Sequence, residues 1–159
     1  FRCTRGSEED VLSRFYQAAE PFQPSWVVRI CGDNPFISGL QIDKLVDFAK
    51  RQDADYAYNH IPRNNVYPDG LGAEIVRFDV LKLLFNKATH KDQREHIFNY
   101  VWDNPADFKI ATFDPGDSYL ARPDLRLDVD HEEDLSRLNK MLVSPHSTDR
   151  EIIAAAGAL

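Results

Sequence analysis

Positive charge is scarce in this 159-residue chain: 19 lysines and arginines face 26 aspartates and glutamates, for a formal net charge of −7. That balance argues against a DNA or RNA surface, which needs a basic patch. It leaves a single nucleotide open, because a bound cation can neutralise its phosphates. Cysteine is also scarce. Cys3 and Cys31 cannot build a disulfide framework, and no CxxC pair marks a zinc site. No apolar run approaches the ~20 residues of a membrane span, and no signal peptide is visible. A soluble, cytoplasmic protein is therefore expected. Neither a GxSxG nucleophile elbow nor a P-loop occurs. What the chain does have is 43 % hydrophobic residues, enough for the core of one ordinary domain.

The chain opens at Phe1 without a methionine, and Phe1-Arg2-Cys3 reads as the end of a strand. The start of a domain is accordingly expected to be lacking. "SEEDVLSRFYQAAEPF" reads as a helix, with Ser7 as cap and an apolar stripe of Val11, Leu12, Phe15, Tyr16 and Ala19, stopped by Pro21 and Pro24. "SWVVRIC" is a nearly continuous apolar run, the pattern of a strand buried on both faces. "SGLQIDKLVDFAKRQ" is a second helix, with a capping box from Ser38 and Gln41. Strands are then expected in "DYAYNH", "AEIVRF", "FKIATF" and "LRLDVD". Helices are expected in "VLKLLFNKA", "QREHIFNYVWDN", "HEEDLSRLNKML" and "TDREIIAAAGAL". Strands alternating with helices predict an α/β sandwich with a mainly parallel sheet. Residues 1–143 form the domain, and 144–159 a C-terminal helix or tail.

"RLDVDHEEDL" crowds five carboxylates into ten positions. In a strand Asp128 and Asp130 share a face, and like charges side by side need a positive partner. An arginine, a helix end or a metal ion could each supply it. Asp130 with Glu133 three residues on fits a helix cap, and Asp128 fits an ion pair with Arg126. On spacing alone this arrangement competes evenly with a metal site. Asp33, in "GDNP", lies just past a strand, where α/β sheets bind ligands, although the four residues also fit a plain turn. If their strands are neighbours, Asp33, Asp128 and Asp130 converge on one crevice. Such carboxylates suit Mg²⁺, which also takes waters and nucleotide phosphates. "YPDGLGAE" offers Asp69 and Glu74 on a glycine-flanked loop. "REH" sets Arg94 and His96 on a helix. Both also fit ordinary solvated surface. His60, His90, His131 and His146 show no ligand spacing.

"RGSEEDVLSRF", "RICGDNPFI", "YPDGLGAEI", "REHIFNYV" and "RLDVDHEEDL" follow in the order found in the cytidylyltransferases of sugar activation. These include CMP-sialic acid synthetase, CMP-KDO synthetase and the spore-coat polysaccharide cytidylyltransferases. The chain resembles the spore-coat type most, over roughly residues 5–138. The resemblance implies a three-layer, Rossmann-like nucleotide-diphospho-sugar transferase fold that lacks its N-terminal strands here. It also implies transfer of CMP from CTP to a sugar with release of pyrophosphate. By resemblance, Asp33 and Asp130 are catalytic, and Asp33, Asp128 and Asp130 hold Mg²⁺. Arg5, Asp69, Glu74, Arg94 and His96 fall on the substrate side, and a homodimer is implied near residues 61–78. The chain departs from the spore-coat pattern at Gly72, where many members carry an acid. It also shows no Gly/Ser/Arg-rich triphosphate loop before Arg5, so the chain alone is expected to be inactive. The alternatives are a nucleotide-sugar-dependent glycosyltransferase or a non-catalytic fragment that binds a partner.

Overall fold

The first helix of the computed structural model, which describes residues 2–159, is α1 (Val11–Ala19). Its cap is Asp10, whose carboxylate accepts from the Ser13 N–H at 2.9 Å. Ser7 lies outside the helix, its hydroxyl accepting from the Asp10 N–H. Pro21 falls in a short 3₁₀ turn, Glu20–Phe22, that closes the segment. Strand β1 (Trp26–Arg29) follows, then α2 (Gly39–Gln52), capped by Ser38. Strand β2 (Tyr56–Tyr58) and β3 (Glu74–Arg77) are joined by a long loop, and α3 (Phe78–Lys87) leaves directly from β3. The single helix expected over "QREHIFNYVWDN" is two short ones, α4 (Lys91–Glu95) and α5 (Asn99–Asp103), interrupted at residues 96–98. Strand β4 is only Ile110–Ala111. The chain ends with α6 (Glu132–Leu138) and α7 (Asp149–Ala156). Arg2 and Cys3 are exposed and belong to no strand, while Phe1 lies outside the described residues.

The sheet order is β1-β3-β2-β4. It is mixed, not mainly parallel: β3 runs antiparallel to both β1 and β2, and only β2 and β4 pair in parallel. The cause is the β2–β3 connection. It holds no helix, and a parallel neighbour needs a crossover. Among the described residues β1 has a single strand neighbour, β3, and its residues are half-buried, not enclosed on both faces as expected.

Side chains alternate across this sheet. Tyr56, Tyr58 and Val76 meet α1, α3 and α5 on one face, in a cluster with Leu12, Leu81, Leu84 and Val101. Ala57 and Ile75 meet Leu45 and Ala49 of α2 on the other. The result is a three-layer α/β/α sandwich. A third cluster joins Leu71, Leu127, Leu138, Ile152 and Ile153, so α7 packs into the same body. The buried Gln41 of α2 reinforces this contact by donating to Asp149 at 2.6 Å. Within residues 61–78, where the resemblance implies a two-fold contact, Tyr67 and Leu71 are wholly buried in the chain's own core, while Ile61 and Val66 are half-buried. No helix among the described residues is long and apolar enough to cross a membrane.

Candidate functional site

Three loop segments meet beyond the end of β1. "LRLDVD" is extended but forms no regular strand. Its one bridge pairs Arg126 with Asp69 in parallel. The Asp69 N–H donates to the Leu125 carbonyl at 3.0 Å, and the Leu127 N–H donates to the Asp69 carbonyl at 2.9 Å. The Val129 N–H donates to the Asp33 carbonyl, also at 2.9 Å. Gly70 makes this approach possible. Its φ is +85°, and a Cβ there would lie 2.9 Å from the Asp128 nitrogen. Asp33, Asp69, Asp128 and Asp130 are therefore gathered by backbone ties among residues 33, 69 and 125–129. Burial, and then the charge of Asp128, push the Asp69 carboxyl up to about 6, with Asp130 and Asp33 adding to the shift.

The positive partner that the acidic run requires is Arg126. Its guanidinium forks onto both oxygens of Asp128, which is buried, and Nη2 also donates to Asp130 at 2.7 Å. Asp130 does not cap α6. Asp134 does, reaching back to accept from the His131 N–H at 3.1 Å and the Asp130 N–H at 3.3 Å. Carboxylate oxygens are the right donors for Mg²⁺. With Arg126 across them, however, no three carboxylate, imidazole or thiol groups among the described residues surround one point. The arrangement as it stands does not fit a bound cation.

Glu74 and His96 belong to a neighbouring cavity of about 260 Å³, lined also by Arg29, His60, Arg63 and Trp102. Glu74 is buried at the register position opposite Arg29 and Tyr58. It accepts from the Arg29 guanidinium and from the Tyr56 hydroxyl. His60 Nε2 stands 3.7 Å from Glu74, too far for a hydrogen bond. His60 Nδ1 is the one buried side-chain nitrogen or oxygen among the described residues without a partner. Burial holds the His60 ring below its usual pKa, with Glu74 acting in the opposite direction. The His60 carbonyl accepts from the Gly70 N–H at 2.8 Å, which ties this cavity to the carboxylate cluster. Cys31 lies between the two. Burial pushes its thiol up to about 11, against the pull of Arg29.

Two of the expected residues join neither group. The Arg94 guanidinium is held by Asp10 at 2.6 and 3.0 Å and by the Phe85 carbonyl at 2.8 Å, which clamps α4 to α1 and α3. Arg5 is exposed and makes no hydrogen bond or ion pair with the described residues. A larger cleft of about 590 Å³ between the first turns of α2 and α7 contains none of the expected residues. Sequence reasoning passed over His60, Arg29 and Arg63. The strand pairing sets Arg29 opposite Glu74, and the β2–β3 loop brings His60 and Arg63 to the same cavity.

The chain is 39 % identical over 130 residues to an uncharacterized protein, MJ1063, of Methanocaldococcus jannaschii, covering 82 % of this chain and 51 % of that protein. It is 31 % identical over 142 residues to the spore coat polysaccharide biosynthesis protein SpsF of Bacillus subtilis, covering 89 % and 57 % respectively. The chain thus spans about half the length of these relatives. A solved cytidylyltransferase from Leptospira borgpetersenii superimposes with a TM-score of 0.77 at 25 % identity, over 97 % of this chain and 63 % of that one. The cytidylyltransferase family model matches residues 1–145, and the chain belongs to that family.

Proposed function

We propose that the protein carrying this chain is a nucleotidyltransferase that moves CMP from CTP to a sugar. A sugar hydroxyl oxygen forms a bond to the α-phosphorus, and the bond from that phosphorus to the bridging oxygen of the β-phosphate breaks. Pyrophosphate leaves, and the hydroxyl proton passes to solvent or to a neighbouring base. The observation that carries this reading is the meeting of the Asp33 loop, the Asp69–Gly70 turn and the Asp128–Asp130 segment at one point past β1, in a chain of this family. Crevices at strand ends are where open α/β folds bind nucleotides.

In this reading the acceptor sugar occupies the Glu74 cavity. Glu74 retains lone pairs beyond those used by Arg29 and Tyr56, so it can accept from a sugar hydroxyl. His60 lines the same cavity beside Glu74, so its ring also faces a sugar held there. The SpsF relative is named for spore coat polysaccharide biosynthesis, which supports a sugar as acceptor and a CMP-sugar for polysaccharide or glycan synthesis as product.

The test is ³¹P NMR of the full-length protein with CTP and either N-acetylneuraminate or 3-deoxy-D-manno-octulosonate, with UTP in place of CTP as control. Sugar-dependent release of pyrophosphate with a new CMP-ester resonance supports the reading. Transfer from a preformed nucleotide sugar, with CTP left intact, would replace it with a glycosyltransferase.

A further inference from the structure

Two of the three arginines at the neighbouring sites have carboxylate partners. Arg29 holds Glu74, and Arg126 holds Asp128 and Asp130. Arg63 lines the Glu74 cavity and has no carboxylate partner among the described residues. We propose that Arg63 is a specificity-determining residue of this cavity, which recognises a carboxylate or phosphate group on the molecule held there. The proposal rests on the reading of the cavity as the acceptor-sugar site, and it makes that acceptor an anion.

The Arg63 guanidinium carbon stands 3.8 Å from the centre of the Trp102 ring, over its face. Stacking engages the flat side of the guanidinium and leaves the N–H groups along its edge free. Those N–H groups match the paired oxygens of a carboxylate or a phosphate. The backbone behind the side chain is held. The Arg63 carbonyl accepts from the Tyr58 hydroxyl at 2.7 Å and from Asn65 Nδ2 at 3.0 Å, and Asn65 Nδ2 also donates to Thr112 Oγ1 at 2.9 Å. Charge on the cavity wall is unbalanced. Arg29 and Glu74 offset each other, and burial keeps His60 neutral at pH 7, so Arg63 leaves an unmatched positive charge. This occurs in a chain whose carboxylates outnumber its lysines and arginines 26 to 19. A second sign is independent of charge. His60, on the same wall, has a buried Nδ1 without a partner, and such unmet polar atoms are uncommon away from functional sites. An acceptor with a hydroxyl for Glu74 and an anionic group for Arg63 satisfies both residues. A neutral sugar satisfies only the first.

Isothermal titration of the full-length protein without CTP tests this with two matched pairs. N-acetylneuraminate against its methyl ester reads a carboxylate, and glucose 6-phosphate against glucose reads a phosphate. The unaltered protein should prefer the anionic member of one pair by about ten- to a hundredfold, the range of a charge-assisted hydrogen bond. Arg63→Met keeps an apolar cover on Trp102 and has no charge. Its preference should fall below about threefold, with affinity for the neutral member changed less than about twofold. Arg63→Lys keeps the charge without the fork and should retain part of the preference. Arg77 controls for charge at a distance. It bonds Asp53 and Asp79 outside the cavity, so Arg77→Met should leave the preference within about twofold. Should Arg63→Met not fold, salt decides on the unaltered protein: raising sodium chloride from about 0.05 M to about 0.5 M should cut the preference severalfold. The proposal is overturned by equal binding within both pairs, by a preference that Arg63→Met retains or that salt does not touch, or by no binding of any of the four sugars at millimolar concentration. Anion-selective binding in a protein that never consumes CTP would retire the cytidylyl-transfer reading and leave the role of Arg63 standing. Consumption of CTP with the methyl ester as readily as with the acid would do the reverse.

Discussion

Gly72 stands so close to Asn59 that a Cβ at position 72 would lie 2.2 Å from the Asn59 side-chain oxygen and 2.3 Å from its carbonyl oxygen. Asn59 cannot retreat. It is fully buried, donates to the Gln41 carbonyl at 3.0 Å and accepts from the Ala73 N–H at 3.0 Å. This explains why position 72 holds glycine: any side chain there meets a neighbour that cannot move. Gly72→Ala should destabilise the fold by about 2–4 kcal/mol, the cost of overpacking a rigid site. Adding Asn59→Ala should not restore it, because the carbonyl clash remains. Urea denaturation followed by circular dichroism checks both statements. A Gly72→Ala protein with unchanged midpoint would show that the two residues are free to separate.

Asp69 sets a pH dependence. Its carboxyl is raised to about 6 from an ordinary 3.8, chiefly by burial and then by Asp128. A raised folded-state pKa contributes stability that is full below the unfolded value and disappears as pH rises through 6. Above that pH, folding must bear an ionised Asp69 among other carboxylates. Asp69→Asn should therefore unfold at higher urea than the unaltered protein at pH 8, by about 1–2 kcal/mol after allowance for solvent screening. The difference should shrink towards zero by pH 4. A difference of the same size at both pH values would show that ionisation is not its source.

Those two sites mark what the sequence could and could not disclose. The segments of α1, α2, α3 and α7 were legible as helices, and each buries one face against the sheet or the third cluster. The α/β plan followed from their alternation with strands, and its three-layer form from the family resemblance. The direction of β3 did not, although a signal was present: residues 59–73 hold no helix stripe that could cross over the sheet. "LRLDVD" alternates in residue type, yet Asp128 is buried beside Leu127, and alternation does not report ladder pairing. Asp33, Asp128 and Asp130 were legible as strand-end carboxylates, and Asp69 only as part of a glycine-flanked loop. His60 was not, because its place beside Glu74 and Gly70 depends on contacts across the β2–β3 loop. The bond that holds Arg94 was not legible either, because short motifs record spacing, while its partner Asp10 lies 84 positions away.

Arg94 should behave as a clamp. Its carboxylate partner Asp10 is pushed up by burial, but the Arg94 hydrogen bond and the Ser13 N–H draw it net below the usual range. A lowered folded-state pKa contributes stability that is present above the ordinary value and lost as pH falls through the folded one. Arg94→Met should cost about 1–2 kcal/mol at pH 7. The penalty should fade below pH ~4, as Asp10 takes a proton. If the clamp is Arg94's whole role, turnover per folded molecule should stay within about twofold of the unaltered protein. A 100-fold fall in kcat/KM with a normal melting temperature would instead return Arg94 to the substrate side.

Asp130 and Asp134 separate chemistry from capping in the acidic run. Asp134 accepts from two backbone N–H groups at the start of α6, where negative charge is also favoured by the helix dipole. Asp134→Ala should therefore lower stability by about 1 kcal/mol and leave turnover per folded molecule nearly unchanged. Asp130 carries no cap. Its carboxylate holds one arm of a half-exposed arginine, a contact of small worth. Asp130→Asn should leave the urea midpoint almost where it was. If Asp130 supplies the charge that the transition state needs, the same substitution should lower kcat by roughly two to three powers of ten, a loss of about 3–4 kcal/mol. Paired measurements of midpoint and CTP turnover on the two variants decide the matter. Asp130→Asn with full activity would remove Asp130 from the chemistry and leave it as a partner of Arg126 alone.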